Sequence, residues 1–254
     1  MRLLALADIH GCMSNIPLLA DVVRNCDAIV LAGDITDFGT ADQARSVLSA
    51  LNVFEKPLLG VSGNCDPPLV DELLKKQAGG LIDAPVEMSG FVFVGFSYAA
   101  SLEAFLPNEP ILKKAGMNRK HDRLAGETKQ NLKKRSAIAD FTYVPLRQPN
   151  EPILQDPGQK PMILVTHQPA WGTAVDLQAS TRHKGSRSVR SFIEDHQPLL
   201  AVSGHIHEAN GTDQIGSTLL VNPGPFRNGR YATIDINNDT AVAKLHWLLR
   251  NCER

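Results

Sequence analysis

Five apolar runs of the chain end in side chains that can bind a metal ion or transfer a proton. Each run has the length and composition of a buried strand, and the polar side chain follows it directly. A single polar residue of this kind would be an ordinary turn residue, whereas five together predict a metal site at the edge of a sheet. The strand-end segments are Asp8-Ile9-His10-Gly11, Gly33-Asp34, Gly63-Asn64-Cys65-Asp66, His167 and Gly204-His205-Ile206-His207.

The candidate ligands combine imidazole nitrogens with carboxylate and amide oxygens, and none of them needs to be a thiolate. This set suits Mn, Fe, Zn, Co or Ni better than a Cys-rich zinc site or an all-oxygen calcium site. Seven ligands are too many for one such ion, so we expect two ions that share a carboxylate. Two metals roughly 4 Å apart can clamp a phosphate and generate a hydroxide near neutral pH. The ligands are His10, His167, His205, His207, Asp8, Asp34 and Asn64.

The elements that would position these side chains alternate between strand and helix early in the chain. Apolar periodicity predicts strands at 3–7, 28–32 and 57–62, with helices at 15–24, 40–51 and 67–76. Right-handed crossovers would make the centre of this sheet parallel. The segment Thr40 to Gln43 resembles a capping box. The first part of the chain is therefore predicted to be a βαβαβ unit.

The second part of the chain begins in the same way and ends differently. Further strands are predicted at 91–96, 162–166 and 199–203, and Ser186 is expected to cap a helix that ends near His196. Short strands follow at 218–221, 231–236 and 240–247, the last two joined by an Asn237-Asn238-Asp239 turn. The chain is thus predicted to be an α/β protein that ends in antiparallel strands.

Length and composition limit the possible classes of protein. The chain has 254 residues, 43% of them hydrophobic and 21% charged, which fits one domain spanning 1–254. A net charge of −1 disfavours a general electrostatic nucleic-acid binder. The four cysteines lack the CxxC spacing of a zinc finger. No apolar run is long enough for a membrane span or a signal peptide, so we expect a cytoplasmic protein without a membrane partner.

A basic insertion is expected at about 101–160. Within it, residues 113–135 carry nine Lys and Arg against Asp122 and Glu127. One interpretation is a mobile cationic flap over an anionic substrate, and the other is a solvated helix face followed by a loop.

The motifs, in this order, resemble the calcineurin-like metallophosphoesterase superfamily. The pattern is Asp-x-His, Gly-Asp, Gly-Asn-x-Asp, a strand-end His and Gly-His-x-His, and it spans residues 8–207. The resemblance implies a four-layer α/β/β/α sandwich, in which two mixed β-sheets are flanked by helices. It also implies a first metal held by Asp8, His10, Asp34 and His207. Asp34 would bridge to a second metal held by Asn64, His167 and His205.

The chain resembles most closely a small prokaryotic phosphodiesterase branch of this superfamily. Supporting segments are His183-Lys184-Gly185-Ser186, the residues 204–209 and Val221-Asn222-Pro223-Gly224-Pro225. His183 is a candidate substrate contact, and Asp66 is expected to support a neighbouring ligand or loop. The informative departure is Cys65, since most of the superfamily has a histidine there that is thought to assist the leaving oxygen. A thiol is a weaker donor and cannot carry the charge of an imidazolium.

These features predict a hydrolase that cleaves phosphodiesters by in-line attack of a metal-bridging hydroxide, with weak monoesterase activity. The expected catalytic residues are Asp34, Asn64, Cys65 and His205. The expected cofactors are two divalent metal ions, with manganese favoured. The expected partners are a small phosphodiester or nucleotide substrate and a further copy of the chain in a homodimer or higher oligomer, whereas nucleic acid is disfavoured. The alternatives are a phosphomonoesterase or protein phosphatase, a metal-binding interaction scaffold of the same fold, and a nuclease.

Overall fold

The computed structural model describes residues 1–76, 79–81, 84–97, 160–179 and 182–248. The predicted basic insertion lies outside these residues except for Lys160. The two interpretations of residues 113–135 and the extent of the domain therefore stay predictions. In the described part of the chain, no helix combines the length and the apolar character needed to cross a membrane.

The strands form two large mixed sheets and a short hairpin. They are β1 (Arg2–Leu6), β2 (Ala28–Ala32), β3 (Leu58–Val61), β4 (Val86–Met88), β5 (Phe91–Phe96), β6 (Met162–Thr166), β7 (Leu177–Gln178), β8 (Arg182–His183), β9 (Leu200–Val202), β10 (Gly211–Ile215), β11 (Thr218–Asn222), β12 (Arg230–Ile236) and β13 (Ala241–Trp247). The first sheet has the order β13-β12-β1-β2-β3, and the second has the order β10-β11-β9-β6-β5-β4. Strands β1 to β3 are parallel, as are β5, β6, β9 and β11, whereas β4, β10, β12 and β13 pair antiparallel with their neighbours. The mixed sheets and the antiparallel chain end are confirmed.

The described helices are α1 (Ala20–Arg24), α2 (Ala41–Asn52), α3 (Leu69–Lys76) and α4 (Arg187–His196). Helix α2 starts at the predicted capping box, in which Thr40 accepts from the backbone N–H of Gln43. At α4, the hydroxyl of Ser186 accepts from the backbone N–H of Val189 at 3.2 Å. The predicted helix at 15–24 begins instead as a 3-10 turn at Ile16–Leu19, with proline in its first positions and no side-chain cap hydrogen bond. The capping residues Thr40 and Ser186 therefore predicted two of these helix starts correctly.

Strand alternation divides the buried side chains into two clusters. Along β1, Leu3 and Ala5 join the core between the sheets, whereas Leu4 and Leu6 pack beneath α1, α2 and α3. This is the two-residue period expected of a strand that is covered on both faces. On the second sheet, Phe192 of α4 packs edge-on against Phe96 with ring centroids 5.0 Å apart. Helices therefore cover both sheets, and the predicted four-layer α/β/β/α sandwich is confirmed.

Candidate dinuclear metal centre

The carboxyl ends of the parallel strands meet where the two sheets face each other. In the first sheet, the backbone N–H of Asp8 donates to Gly33 O at 3.1 Å. In the second, the backbone N–H of Gly204 donates to His167 O at 3.0 Å. The ring Nδ1 of His167 joins the sheets, because it lies 2.9 Å from Ala32 O on β2. The predicted strand-end side chains therefore collect at one edge.

Four of the predicted site residues have left-handed backbones. The φ angles of Asp8, His10, Asp34 and His205 are 52°, 48°, 52° and 68°. This region is costly for residues other than glycine, and such strain clusters at functional sites. Backbone hydrogen bonds maintain it here, since His10 N donates to Asp34 O at 2.9 Å and Gly11 N donates to Ile35 O at 2.8 Å. The loops after β1 and β2 are thus locked together.

The first group of candidate ligands contains Asp8, His10 and His207. Its ligand atoms lie within 4.8 Å of one another. The Nε2 atom of His207 is 3.3 Å from Asp8 Oδ1 and 3.3 Å from the Nε2 atom of His10. Three nitrogen and oxygen donors that converge in this way suit a divalent transition metal.

Asp34 stands between this group and a second one. Its Oδ2 atom is 3.7 Å from His10 Nε2, and its Oδ1 atom is 3.5 Å from His167 Nε2. The two oxygens of one carboxylate therefore face different imidazoles, which is the arrangement that a bridging ligand needs. Asn64 joins the second group, because its Oδ1 atom lies 2.9 Å from His167 Nε2.

His205 is brought into the same place by its backbone and its ring. Its backbone N–H lies 3.1 and 3.2 Å from the two carboxylate oxygens of Asp8. Its ring meets the ring of His167 edge-on, with centroids 5.0 Å apart. The structure thus assembles all seven predicted ligands, and their binding of metal stays a prediction.

Glycines surround the carboxylates and leave room for no side chain. A Cβ atom on Gly63 would lie 2.8 Å from Asp34 Cγ and closer still to an oxygen. A Cβ atom on Gly204 would lie 2.8 Å from Asp8 Oδ2, and one on Gly33 would lie 2.7 Å from His167 Cγ. The donor set and this close backbone packing fit two divalent metal ions.

Asp66 holds two of the ligand-bearing loops together through hydrogen bonds, in line with its predicted supporting role. Its carboxylate accepts the backbone N–H groups of Ile35, Thr36 and Gly63 at 3.1, 2.7 and 2.9 Å. These bonds tie the loop that carries Asp34 to the loop that carries Asn64. Burial raises the pKa of Asp66 to about 6, although the three backbone donors oppose the rise.

Burial and charge set the protonation of the candidate ligands. Burial lowers the pKa of His10 to about 4 and that of His205 to about 3, so both imidazoles are neutral and able to bind metal. Burial would raise the pKa of Asp8, but the hydrogen bond with His207 and the nearby imidazoles lower it below its usual range. For His167, burial lowers the pKa, and the charges of Asp34 and Asp8 more than offset that effect.

Cys65 occupies the position of the usual histidine and faces the site. It is 6% exposed, and its backbone N–H donates to Asp34 Oδ1 at 2.8 Å. Its Sγ atom groups with ligand atoms of His10 and Asp34 within 4.8 Å and accepts from Asn64 Nδ2 at 3.3 Å. Burial and the charge of Asp34 raise the pKa of Cys65, which keeps it a thiol.

His183 is the predicted site residue that the structure does not bring into the cluster. It lies on β8, and its Nδ1 atom is 2.7 Å from Oδ1 of the fully buried Asp176. The sequence offered no signal for Asp176, because the pairing depends on the hairpin of β7 and β8.

A second residue that the sequence analysis missed is Arg227. Its backbone N–H donates to Asp8 O at 3.3 Å, and its charge contributes to the low pKa of His10. It follows the Asn222–Pro225 segment, whose position after a strand was the available signal.

The fold and the cluster together define a metallophosphoesterase. Residues 1–209 match the family described as calcineurin-like phosphoesterase, and the chain belongs to this family. Its members depend on two metal ions and hydrolyse phosphoester bonds, which places the chain among the hydrolases.

Three similar proteins cover nearly the same length. The chain is 28% identical over 231 residues to the protein MJ1162 of Methanocaldococcus jannaschii, which is 89% of this chain and 88% of that protein. The structure of TT1561 of Thermus thermophilus superimposes with a TM-score of 0.59 at 17% identity, over 96% of this chain and 97% of that one. A dimetal phosphatase from Danio rerio gives a TM-score of 0.59 at 16% identity, over 97% and 96%. The two solved structures share the fold.

Proposed function

We propose that this protein is a metal-dependent phosphodiesterase with weak activity toward monoesters. The observation that carries the proposal is Cys65, a buried thiol between Asn64 and Asp66 at the position of the usual histidine. Asp8, His10, Asp34 and His207 would hold one divalent ion. Asp34, Asn64, His167 and His205 would hold the other.

The bound ions would activate water for in-line attack on phosphorus and neutralise charge on the phosphate oxygens. The protein residues keep this chemistry in place. Asp66 fixes the Asp34 loop against the Asn64 loop through backbone bonds of 2.7 to 3.1 Å. The backbone N–H of His205 orients the carboxylate of Asp8. The position of Asp34, with one oxygen toward each imidazole group, supports its role as the bridge.

The Cys65 thiol favours diesters because it cannot donate a proton to the leaving oxygen as well as a charged imidazolium can. A monoester is a dianion whose alkoxide leaving group needs a proton or a strong hydrogen bond from the enzyme. The Cys65 side chain is shorter, donates weakly and carries no positive charge. A diester carries one charge less and depends less on a cationic donor at this position.

The substrate we propose is a small phosphodiester or a nucleotide, and the metal we propose is manganese. The mixed nitrogen and oxygen donors are compatible with manganese, and also with iron, zinc, nickel or cobalt. The net charge of −1 disfavours nucleic acid as the substrate. We further propose that the protein acts in the cytoplasm, without a membrane partner, as a homodimer or a higher oligomer.

The test compares Mn²⁺-dependent hydrolysis of bis-(p-nitrophenyl) phosphate and p-nitrophenyl phosphate by the wild type and Cys65→His. We expect the wild type to prefer the diester. In Cys65→His we expect monoester turnover to rise about 100-fold, the lower end of the roughly 100- to 10,000-fold that a positioned acid contributes. The matched control is Cys26→Ser, which changes another buried free cysteine, whose Sγ atom donates to Val22 O.

Two results would contradict the proposal. A wild type that prefers the monoester would indicate a phosphomonoesterase or protein phosphatase. A wild type that binds two metal ions and hydrolyses neither substrate would indicate the scaffold alternative.

A further inference from the structure

We propose that His183, held by the buried Asp176, donates the proton to the oxygen that leaves phosphorus. The proposal deepens the proposed function and rests on it, since it identifies a donor for the task that Cys65 performs poorly.

The pairing of His183 with Asp176 is a built feature of the fold. The Asp176 side chain is fully buried, and its two oxygens accept the backbone N–H groups of Gly172, Thr173 and Gly185 at 3.2, 2.8 and 2.9 Å. All these partners are donors, so the group is oriented as a carboxylate acceptor. Its Oδ1 atom also accepts from the Thr173 hydroxyl at 3.4 Å and lies 2.7 Å from His183 Nδ1. The ring nitrogen Nδ1 therefore carries a proton, and Asp176 determines the ring orientation.

The other ring nitrogen is available for substrate. In the part of the chain that the structure describes, His183 Nε2 has no hydrogen-bond partner, and the side chain is 38% exposed. A buried carboxylate with three backbone donors and one half-exposed imidazole resembles the orienting pair of a general acid or base. This role requires an exposed nitrogen and a fixed ring, and His183 has both.

Hydrogen bonds attach the segment that holds this pair to the loop after His167 and to the loop that carries His205 and His207. On one side, the backbone N–H of Ser186 donates to Pro169 O at 2.8 Å, two residues after His167. On the other side, the buried amide of Asn222 donates to Val175 O at 3.3 Å and to Ile206 O at 3.0 Å. Val175 precedes Asp176, and Ile206 lies between the two predicted ligands His205 and His207. Hydrogen bonds thereby connect the pair to the segments that carry His167, His205 and His207.

The surroundings of His183 suit an anionic substrate with a bulky leaving group. The half-exposed Trp171 lies beside it, with ring centroids 5.8 Å apart. The guanidinium of Arg187 stacks on the Trp171 ring at 3.8 Å from its centroid. The exposed Arg182 and Lys184 flank His183 in the chain. The surface around His183 therefore combines positive charge with an aromatic face.

The proposed step balances as follows. The bond between phosphorus and the leaving oxygen breaks, and its electron pair goes to that oxygen. The proton on Nε2 of the protonated ring moves to the same oxygen, which leaves as an alcohol. His183 remains as the neutral ring with Nδ1–H bonded to Asp176, and water returns the proton on Nε2.

The test uses a series of aryl methyl phosphodiesters from 4-nitrophenol to unsubstituted phenol, with full-length wild type, His183→Ala and the control Lys244→Ala. If His183 is the proton donor, His183→Ala loses a few-fold in kcat with the nitrophenyl ester. With the phenyl ester it loses about 100-fold or more, because poorer leaving groups depend more on the acid. Added imidazole partly restores the slow reactions. Lys244→Ala keeps the wild-type dependence on the leaving group, since Lys244 is an exposed residue of β13 at the outer edge of the first sheet.

An equal loss with every leaving group would overturn the proposal, since it would mean that His183 acts in binding or structure. His183→Gln, with thermal unfolding as a check, serves if the alanine variant is unstable. A series of aryl phosphate monoesters run in parallel separates the two proposals. A preference for monoesters would refute the proposed function, whereas the dependence of the monoester rates on the leaving group would still test His183. If the wild type is inactive on both series, the proposed function fails. Calorimetric titration with inorganic phosphate then tests whether His183 contacts the phosphate. Weaker phosphate binding in His183→Ala would support the contact, and equal binding would overturn it.

Discussion

Replacing Gly63 by alanine tests whether Asp34 must occupy its present position. A Cβ atom on Gly63 would lie 2.8 Å from Asp34 Cγ, whereas carbon atoms in contact are about 3.5 to 4.0 Å apart. Relief of this contact alone would move the carboxylate by about 0.7 to 1.2 Å, and the backbone N of Asp34, which lies closer still to the added Cβ, would have to shift as well. A misplacement of about 1 Å in an active site can lower the rate about 100-fold. Overpacking would also lower the free energy of unfolding by about 1 to 3 kcal/mol.

The assay measures kcat/KM for bis-(p-nitrophenyl) phosphate, bound metal per chain and the thermal midpoint. We expect Gly63→Ala to lose activity about 100-fold and to bind less than two metal equivalents. The matched control is Gly211→Ala on β10, where the nearest heavy atom to the added Cβ is Ala209 O at 3.8 Å. A folded Gly63→Ala protein with two metals and wild-type activity would refute the inference that Asp34 must occupy its present position.

Two further predictions concern carboxylates outside the metal cluster. Burial raises the pKa of Asp71 to about 7, above the ordinary value of about 3.9 for an unfolded chain. The folded state then binds more protons between these values, so the unfolding free energy of the metal-free protein should fall as pH rises from about 4 to 7, by up to about 4 kcal/mol. Asp71→Asn should flatten this profile in urea titrations, and an unchanged slope would contradict it. Asp176→Asn should lower stability by about 1 to 3 kcal/mol, because an amide N–H would face the backbone donors of Gly172 and Gly185 or of Thr173. A urea midpoint equal to that of the wild type would contradict this second prediction.

The burial of the central strands was predictable from the sequence, because their runs are apolar throughout. Alternation in β1 between Leu3 or Ala5 and Leu4 or Leu6 determines which residues face the sheet interface and which face the helices. Helix starts at Thr40 and Ser186 were predictable for a similar reason, since capping is a contact within one turn. The short hairpin of β7 and β8 gave no such pattern, because two-residue strands have no period to detect.

The ligand types, their order and their place after strands were also determined by the sequence. Parallel strands of one sheet end at a common edge, so Asp8, Asp34 and Asn64 had to come close in one sheet, and His167 and His207 in the other. The tertiary structure decided how the carboxylate oxygens are shared. That Oδ1 of Asp34 faces His167 and Oδ2 faces His10 depends on two sheets and three loops at once. No spacing along the chain encodes it.

The pairing of His183 with Asp176 shows the same division most clearly. The sequence presented His183 as an isolated histidine before a glycine and a helix cap. Only the folded chain brings a buried carboxylate to 2.7 Å from its Nδ1 and ties the segment to both ligand loops. Local chemistry therefore determined the ligands, the caps and the strands of this protein. Contacts between segments far apart in the chain decided the bridging geometry and the candidate acid, because hydrogen bonds between loops leave no periodic pattern in the sequence.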